Sequence, residues 1–342
     1  MQHTSIIISR PLFAALTLFA AAVSPLLATS ARAAEGFALE KNPRGVAVTF
    51  HGKPVAEYVV TEANKPFLWP VFGPTGKAMT RAYPMKMVDG EQHDHPHHRA
   101  IYFGSEGIND FDTWHERATF EEKGVKPDYA KLRLARLGAT KHREFRELKA
   151  DATQAVIVTT DDYLGADGKV AFTDERRIRF QMNGESTVID FDIEFIASAG
   201  PVKFGDVKDA GFSIRVPTSM AVDSKQGGRI ITSEGIADAK AWGTRARWVD
   251  YQGAVEGQPL GIAMLNHPSS FRHPTPWHVR TYGLFTANPF GTHSLDKTAP
   301  DGAHTLAAGE RLALRHRIIL HSGDEKSARL AEAYDAYARE KK

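Results

Sequence analysis

The alternation of apolar and polar residues in segment 187–196 most constrains the fold of this chain. Apolar side chains recur there at every second position, which is the period of a strand with one buried face: Ile189, Phe191, Ile193 and Phe195. Many other short segments carry strand patterns between turn signals such as Asn183-Gly184. Helical patterning is scarce before the Ala-, Glu-, Lys- and Arg-rich segment 325–341. The sequence therefore predicts an all-β fold, a large antiparallel β-sandwich with few helices and a C-terminal helix.

Individual strands can be placed from the turn residues. Segments 46–50 and 55–59 flank His51-Gly52-Lys53-Pro54, which predicts a hairpin. Residues 110–115 are predicted to form a short helical turn. Further predicted strands cover residues 155–161, 171–182, 211–216, 229–232, 241–251, 260–265, 279–285 and 311–320.

The first 33 residues are typical of a cleavable signal peptide. Arg10 precedes an apolar run over 11–28, and Ala31-Arg32-Ala33 forms the small-x-small pattern of a cleavage site before Ala34. A membrane anchor is the weaker alternative, because Ser24-Pro25 interrupts a run already short for a spanning helix. We expect a signal peptide over 1–33, one β-sandwich domain over 34–342 with no membrane span, and a periplasmic or secreted location.

Composition limits the function classes. The leader carries two of the 43 basic residues and none of the 41 acidic ones, so the remaining chain has no formal net charge. This balance gives no electrostatic footprint for nucleic acid. The chain has no cysteine, so its stability depends on a sizeable hydrophobic core rather than on disulfides.

Four of the 15 histidines lie within six residues, in the segment Glu91–Arg99. Three readings are open: a substrate-binding and acid–base site, a metal site, and a solvated loop with structural hydrogen bonds. An extended segment would point His93, His95 and His97 one way, which gives the possible metal ligands, although Pro96 favours an edge or a loop. Arg99 stands where a cupin-type site has an acidic ligand, which favours the first reading.

A second polar segment is Pro276–Gly283. In a strand, His278, Arg280 and Tyr282 share one face, as in the lining of a polar cleft, and Trp277 adds an aromatic ring. The alternative is an exposed sheet face with ordinary cross-strand pairs.

A third candidate is the loop Phe204–Phe212, where Asp206, Lys208 and Asp209 lie between glycines. These residue types also form ordinary turns, and that interpretation is favoured for this loop taken alone. Weaker candidates are Trp114-His115, Asn266-His267-Pro268, Arg272-His273-Pro274 and Asn288-Pro289-Phe290-Gly291. The chain lacks the phosphate-binding, dinucleotide-binding, serine-hydrolase-elbow and zincin motifs.

Several motifs resemble a family of exported bacterial proteins named PmoA-like. The resemblance rests on Ala82-Tyr83-Pro84-Met85, Asp94–Arg99, Phe103-Gly104, Trp114, and the segments 204–212, 263–268 and 276–283. It implies a β-sandwich protein associated with sugar catabolism. The methane-oxygenase name is a misnomer here, because that membrane enzyme needs several spanning helices. The ending 308–318 is similar to the last strand of galactose-mutarotase-like supersandwich enzymes, which implies a carbohydrate ligand.

The leading hypothesis is an exported carbohydrate-active enzyme that uses histidine acid–base chemistry on a sugar, sugar acid or glycoside, as an epimerase, lyase or hydrolase. His95 or His98 and His278 are the predicted catalytic residues. The predicted substrate contacts are His97, Arg99, Trp114, Asp206, Lys208, His267, Trp277, Arg280 and Tyr282. The alternatives are a noncatalytic sugar-binding envelope module and a metal-dependent enzyme with His93, His95 and His97 as ligands. The expected partner is a small molecule or oligosaccharide. No cofactor is predicted, although a divalent metal is possible.

Overall fold

The computed structural model describes residues 1–2 and 35–342, so the predicted signal peptide lies almost wholly outside the described residues. Residues 34–342 form one compact unit. Its first nine strands are β1 (Phe37–Asn42), β2 (Gly45–Phe50), β3 (Lys53–Val59), β4 (Phe67–Val71), β5 (Ile101–Ser105), β6 (Ala139–Ala150), β7 (Gln154–Leu164), β8 (Val170–Asn183) and β9 (Ser186–Ile196). The next nine are β10 (Val202–Phe204), β11 (Ala210–Arg215), β12 (Arg229–Thr232), β13 (Trp248–Val255), β14 (Gln258–Asn266), β15 (Trp277–Arg280), β16 (Leu284–Ala287), β17 (His304–Leu306) and β18 (Arg311–Ser322).

The strands form two eight-stranded antiparallel sheets. The first sheet has the order β1-β2-β3-β4-β5-β11-β16-β15, and the second has the order β12-β13-β14-β18-β9-β8-β7-β6. Strands β10 and β17 pair separately. The predicted all-β sandwich is therefore confirmed.

The core lies between the inner faces of the two sheets. Aromatic rings meet across it: Phe103 of β5 lies 4.9 Å from Phe195 of β9, and Phe212 of β11 lies 4.8 Å from Phe191. The period-two face predicted around residues 189–195 is thus the buried face of β9. Burial of apolar surface stabilises the fold by about 25 cal/mol per Å².

Helices are few and short. They are α1 (Arg117–Phe120), α2 (Pro127–Leu134), α3 (Thr292–Leu295) and α4 (Leu330–Ala338). The C-terminal helix α4 packs Leu330, Tyr334 and Tyr337 on the outer face of the second sheet. No helix among the described residues is long and apolar enough to cross a membrane.

Several predicted boundaries differ from the structure. Helix α4 is shorter than the predicted 325–341, and residues 110–115 form isolated bridges rather than a helical turn. The predicted strand 241–251 begins only at Trp248, because residues 238–241 form a 3₁₀ turn. The predicted strand 279–285 is divided between β15 and β16, with a turn over 281–283. This turn places Tyr282 outside the sheet.

Candidate functional site

The histidine segment is a loop between β4 and β5, not a strand. His95 adopts a left-handed backbone conformation (φ +48°), and its carbonyl accepts a hydrogen bond from the backbone N–H of His98 at 3.0 Å. The guanidinium of Arg81 holds the loop by donating to the carbonyl oxygens of Gln92 and His95. The predicted alternation of side chains is therefore wrong, since it requires an extended backbone.

Asp94 is the anionic centre of this loop. Its carboxylate accepts hydrogen bonds from Arg81, from Arg215 Nη2 at 2.8 Å and from His95 Nδ1 at 2.7 Å. Both arginines are buried. Burial disfavours the charged carboxylate, but His95 and the two guanidinium groups outweigh it and hold the pKa of Asp94 well below its ordinary value of 3.8. The same contacts fix the ring of His95, because Nδ1 donates to Asp94 and Nε2 is left for other partners.

Three rings form a parallel stack beside this ion cluster. The His95 ring lies 5.0 Å from the Tyr282 ring and 4.8 Å from the His98 ring, with interplanar angles of 13° and 10°. The guanidinium of Arg215 also lies over the Tyr282 ring, 4.7 Å from the ring centroid. Loop 91–99 and the β15–β16 turn therefore meet, as the sequence-based pairing of the two polar segments predicts.

Two of the clustered histidines are buried. Burial is the main cause that lowers the pKa of both His97 and His98 well below 6.5, so both rings are neutral at pH 7. Arg215 Nη1 lies 3.3 Å from His98 Nδ1. A guanidinium has only donors, so Nδ1 accepts and the proton of the neutral ring lies on Nε2. His98 therefore presents an Nε2–H donor.

His278 on β15 has the opposite tautomer. Its Nδ1 lies 2.7 Å from the carbonyl oxygen of Lys208, which only accepts, so the neutral ring carries its proton on Nδ1 and a lone pair on Nε2. Burial lowers the pKa of His278 to about 4, against the opposing effect of Asp209. At neutral pH this side chain is an uncharged imidazole suited to accept a proton.

Trp114 connects the two histidines. Its buried indole lies 5.8 Å from the His98 ring and 6.3 Å from the His278 ring. The indole is only 1% exposed and packs against both histidines.

An accessible row of three rings and one guanidinium group lies next to these histidines. Consecutive members are separated by 4.9 Å (Trp242 to Arg280), 5.3 Å (Arg280 to Tyr282) and 5.0 Å (Tyr282 to His95). We call Trp242, Arg280, Tyr282 and His95 the aromatic row. The ring of Trp242 also lies 4.8 Å from that of His278. His95 is thus one end of the row, and the buried ring of His278 packs against Trp242 at the other end.

Arg280 is exposed, and no carboxylate among the described residues forms an ion pair with it. A cavity of about 670 Å³ lies beside the same loop and is lined by Lys86, Glu91 and Thr218, among others, but by no member of the aromatic row. The row is therefore an open surface next to that cavity.

Several predicted substrate contacts have structural partners instead. Trp277 is fully buried, and its Nε1–H donates to the carbonyl oxygen of Ala246 at 2.9 Å. The carboxylate of Asp206 accepts three backbone N–H groups, from His293, Ser294 and Gly302. Both oxygens of Asp206 therefore already accept hydrogen bonds from the protein's own backbone.

His267 and Arg99 are also committed elsewhere. His267 contacts the C-terminal helix, with its ring 4.8 Å from that of Tyr337. Arg99 Nε donates to Glu116 at 2.9 Å, and Lys65 donates to the same carboxylate at 3.1 Å. Arg99 therefore neutralises a mostly buried carboxylate rather than contacting a ligand. Lys208 is about half exposed and pairs with Asp209 at 2.6 Å, so its ammonium remains at the edge of the site.

The predicted metal ligands do not converge. His93 is exposed and stacks on Tyr83, whereas His97 is buried and its Nδ1 lies 2.9 Å from Thr119 Oγ1. Within residues 35–342, one group of three metal-ligating side chains has ligand atoms within 4.8 Å of one another: Glu106, His115 and Asp209. In this structure His93 and His97 thus point to different partners, and the alternative with His93, His95 and His97 as ligands stays a prediction.

Sequence reasoning missed Arg81, Arg215 and Trp242. Arg215 offered a signal, because a charged residue inside the apolar strand pattern 211–216 needs a buried partner. Arg81 and Trp242 carried no comparable signal, since nothing in their neighbourhoods predicts contact with loop 91–99 or with β15.

A family model named DUF6807, a family of unknown function, matches residues 45–335. The chain belongs to this family. No curated protein matches this DUF6807 chain significantly. None of the comparisons supports the PmoA-like resemblance, which stays an interpretation of the sequence.

Solved structures similar to this DUF6807 protein include three from lactobacilli. An alpha-galactosidase from Lactobacillus brevis is 9% identical, with 90% of this chain and 43% of that chain covered and a TM-score of 0.41, so this chain spans less than half of that enzyme. A galactose mutarotase related enzyme from Lactobacillus acidophilus is 9% identical, with coverages of 84% and 98% and a TM-score of 0.32. A galactose mutarotase-like protein from Lactobacillus casei is 9% identical, with coverages of 84% and 100% and a TM-score of 0.35. At such identities and scores, the role of each residue has to come from the site itself.

Proposed function

We propose that this DUF6807 protein is an enzyme that acts on a sugar or sugar acid by histidine acid–base chemistry. The observation that carries the proposal is the position of His278 and His95 at opposite ends of the aromatic row. Proton transfer at a sugar carbon or oxygen needs a base and an acid on different sides of the reacting atom. A ligand lying on the row would contact His95 at one end and Trp242, against which the buried His278 ring packs, at the other.

The hydrogen bonds of the three histidines support distinct roles. His278 acts as the base through its Nε2 lone pair, because Lys208 occupies Nδ1. His95 acts as its partner in proton transfer, because Asp94 orients the ring through Nδ1 and the side chain is 40% exposed. His98 donates a hydrogen bond from Nε2 to a substrate oxygen, as a neutral imidazole does when it polarises a carbonyl.

The aromatic row supports a carbohydrate as the substrate class. Trp242 and Tyr282 are partly exposed, and such rings stack on the apolar faces of pyranose sugars. The guanidinium of Arg280 lies between them and can form a bidentate pair with a carboxylate. This combination favours a uronate or another acidic sugar over a neutral one.

The test is a substrate screen with purified protein, using oligosaccharides, uronides and 3-keto-glycosides and following products by NMR. We expect turnover of an acidic sugar or glycoside, and a loss of about 10²- to 10⁴-fold in kcat/KM for His278→Gln and for His95→Gln. His304→Gln is the matched control, because this partly buried histidine contacts Phe271 and lies outside the row. Full activity in both site variants would overturn the assignment.

The same screen distinguishes an enzyme from a noncatalytic sugar-binding module. Such a module would bind the ligand, which broadens the ligand's NMR signals, and would leave it unchanged. His278→Gln would then alter affinity without altering any rate.

We also propose that the protein works outside the cytoplasm, on the basis of the leader pattern in residues 1–33. Mass spectrometry of protein from the periplasmic fraction is expected to give a chain that begins at Ala34. An intact leader on protein retained in the membrane fraction would favour the anchor instead.

A further inference from the structure

Two carboxylates and an imidazole converge beside the proposed catalytic surface. Glu106 follows β5 and Asp209 precedes β11, and the backbone N–H of Glu106 donates to the carbonyl oxygen of Asp209 at 2.9 Å. His115 comes from the loop before α1. One ligand atom of each side chain lies within 4.8 Å of the other two. All three are partly buried, so they line a recess rather than an open surface.

The free oxygens of the two carboxylates are available to a ligand. Arg133 binds Oε2 of Glu106 at 2.8 Å, and Lys208 binds Oδ2 of Asp209 at 2.6 Å. In the part of the chain that the structure describes, no hydrogen bond reaches Glu106 Oε1 or Asp209 Oδ1. Each carboxylate is therefore fixed through one oxygen and leaves the other free.

A fully buried carboxylate outside the trio orients the imidazole. Asp112 Oδ2 lies 2.9 Å from His115 Nδ1, and Asp112 Oδ1 accepts the backbone N–H groups of Trp114 and His115. Arg133 Nη2 lies 3.0 Å from the same Nδ1, so this nitrogen has two protein partners and Nε2 is the one left for a ligand. Proteins usually orient a metal-bound histidine through a carboxylate on its second ring nitrogen, and the contact with Asp112 provides that arrangement.

The local charges favour a cation. Glu106, Asp209 and Asp112 carry three negative charges, and Arg133 and Lys208 neutralise two of them. One negative charge beside the imidazole is left without a cationic partner, which makes the recess attractive to a dication.

We propose that Glu106, His115 and Asp209 bind one divalent metal ion, Mn²⁺ or Zn²⁺. Carboxylates suit Mn²⁺ and imidazole suits Zn²⁺, whereas Ca²⁺ prefers six to eight oxygen ligands that this trio does not supply. Three protein ligands leave open positions for water or a substrate oxygen. The inference goes beyond the proposed function, because it concerns binding of an ion and holds whether or not a sugar is turned over.

The ion would lie next to the proposed base. Asp209 Oδ1 is 3.8 Å from His278 Nδ1, and the His115 ring is 4.6 Å from that of His97. A ligand seated on the metal would thus be adjacent to the His278 end of the aromatic row.

The test is Mn²⁺ binding to the purified protein without a histidine tag, followed by the loss of the EPR signal of free Mn²⁺, with Zn²⁺ as competitor. We expect one Mn²⁺ per chain, displacement by Zn²⁺, and much weaker competition by Ca²⁺. Asp209→Asn and Glu106→Gln should each weaken Mn²⁺ binding at least tenfold. His93→Gln is the control, because His93 lies in the histidine segment but outside the trio, and it should leave the affinity unchanged.

Folding of each variant is checked by thermal unfolding in the absence of metal. Equal Mn²⁺ binding by the unaltered protein and by folded Asp209→Asn and Glu106→Gln would overturn the metal site, as would no binding by the unaltered protein. Because the assay uses no substrate, that failure would leave the proposed histidine chemistry standing. Conversely, a protein that binds Mn²⁺ through the trio but turns over no sugar would support the metal site and contradict the proposed histidine chemistry.

Discussion

The guanidinium of Arg215 lies 3.3 Å from Nδ1 of His98, and this contact determines which nitrogen of the buried imidazole carries the proton. Arg215 itself is buried and also donates to Asp94 at 2.8 Å. One arginine on β11 thus connects the anionic centre of the loop with the histidine that faces the site. The tautomer of His98 therefore depends on a residue of another strand, Arg215, and not on the neighbours of His98 in the sequence.

Replacement of Arg215 by lysine should therefore impair the reaction while keeping the charge. Arg215 contacts His98 through Nη1 and Asp94 through Nη2, whereas lysine has all its donors on a single nitrogen and cannot match both positions. We expect kcat/KM to fall at least tenfold, with kcat affected more than KM. Kinetics on the substrate found in the screen check this, and an unchanged kcat would contradict the role assigned to His98.

The contacts of Asp94 predict a stability effect. Asp94→Asn leaves the buried guanidinium groups of Arg81 and Arg215 without their shared anion. We expect a loss of about 2–3 kcal/mol in the free energy of unfolding, at the low end for a broken ion pair because the carboxylate is about one-third exposed. Urea unfolding at pH 7 measures it.

The same carboxylate has a defined pH dependence. Since the folded pKa of Asp94 lies below the unfolded value, its contribution is fully present above pH 4 and is lost as the pH falls through the folded pKa. Asp94→Asn should therefore reduce the difference in stability between pH 5 and pH 2. An equal acid dependence in both proteins would contradict this linkage.

Much of the fold follows from the chain's periodicity, because strand patterns depend on neighbouring residues. The hairpin of β2 and β3 and the buried face of β9 are of this kind. The turn at 281–283 was missed, because Val279 to Phe285 reads as one continuous strand although Gly283 adopts φ +106°. The sequence therefore predicts the residue types of the candidate site. It does not predict which groups those side chains contact.

Two of the predicted substrate contacts have protein partners for one physical reason. Asp206 and Trp277 have side chains that suit either a ligand or the protein's own backbone, and sequence does not show which group they face. Arg215 entered the site through sheet order, which brings β11 beside β5, and Arg81 joins it by donating its backbone N–H to the carbonyl oxygen of Arg215. No local pattern encodes either pairing.

Trp277 tests this distinction directly. Trp277→Phe removes the hydrogen bond to the carbonyl oxygen of Ala246 and leaves a gap in the core. We expect the free energy of unfolding to fall by about 2 kcal/mol and KM for the substrate to stay within a factor of two of that of the unaltered enzyme. Chemical denaturation and steady-state kinetics give the two values, and a large rise in KM at retained stability would restore Trp277 as a ligand contact.

His316 on β18 predicts acid sensitivity of the core. Burial lowers its pKa to about 3, so the folded state keeps the ring neutral while the unfolded chain binds a proton below about pH 6.5. Stability from this residue is therefore present above pH 6.5 and is lost as the pH falls toward 3. His316→Gln should remove up to about 1.4 kcal/mol per pH unit of this dependence. Unfolding free energies at pH 6.5, 5.5 and 4.5 provide the comparison, with His304→Gln as a less buried control.

The pH dependence of kcat/KM tests the assignment of His278 as the base. A base must be unprotonated, and burial lowers the pKa of His278 to about 4, so the acidic limb of the profile should lie near pH 4 rather than near the ordinary histidine value of 6.5. Asp209 opposes this shift, so Asp209→Asn should move the limb to a lower pH. His278→Gln should abolish the limb together with most of the activity. Stability measured at each pH separates titration from unfolding, and an acidic limb near 6.5 that Asp209→Asn does not move would assign the base to another group.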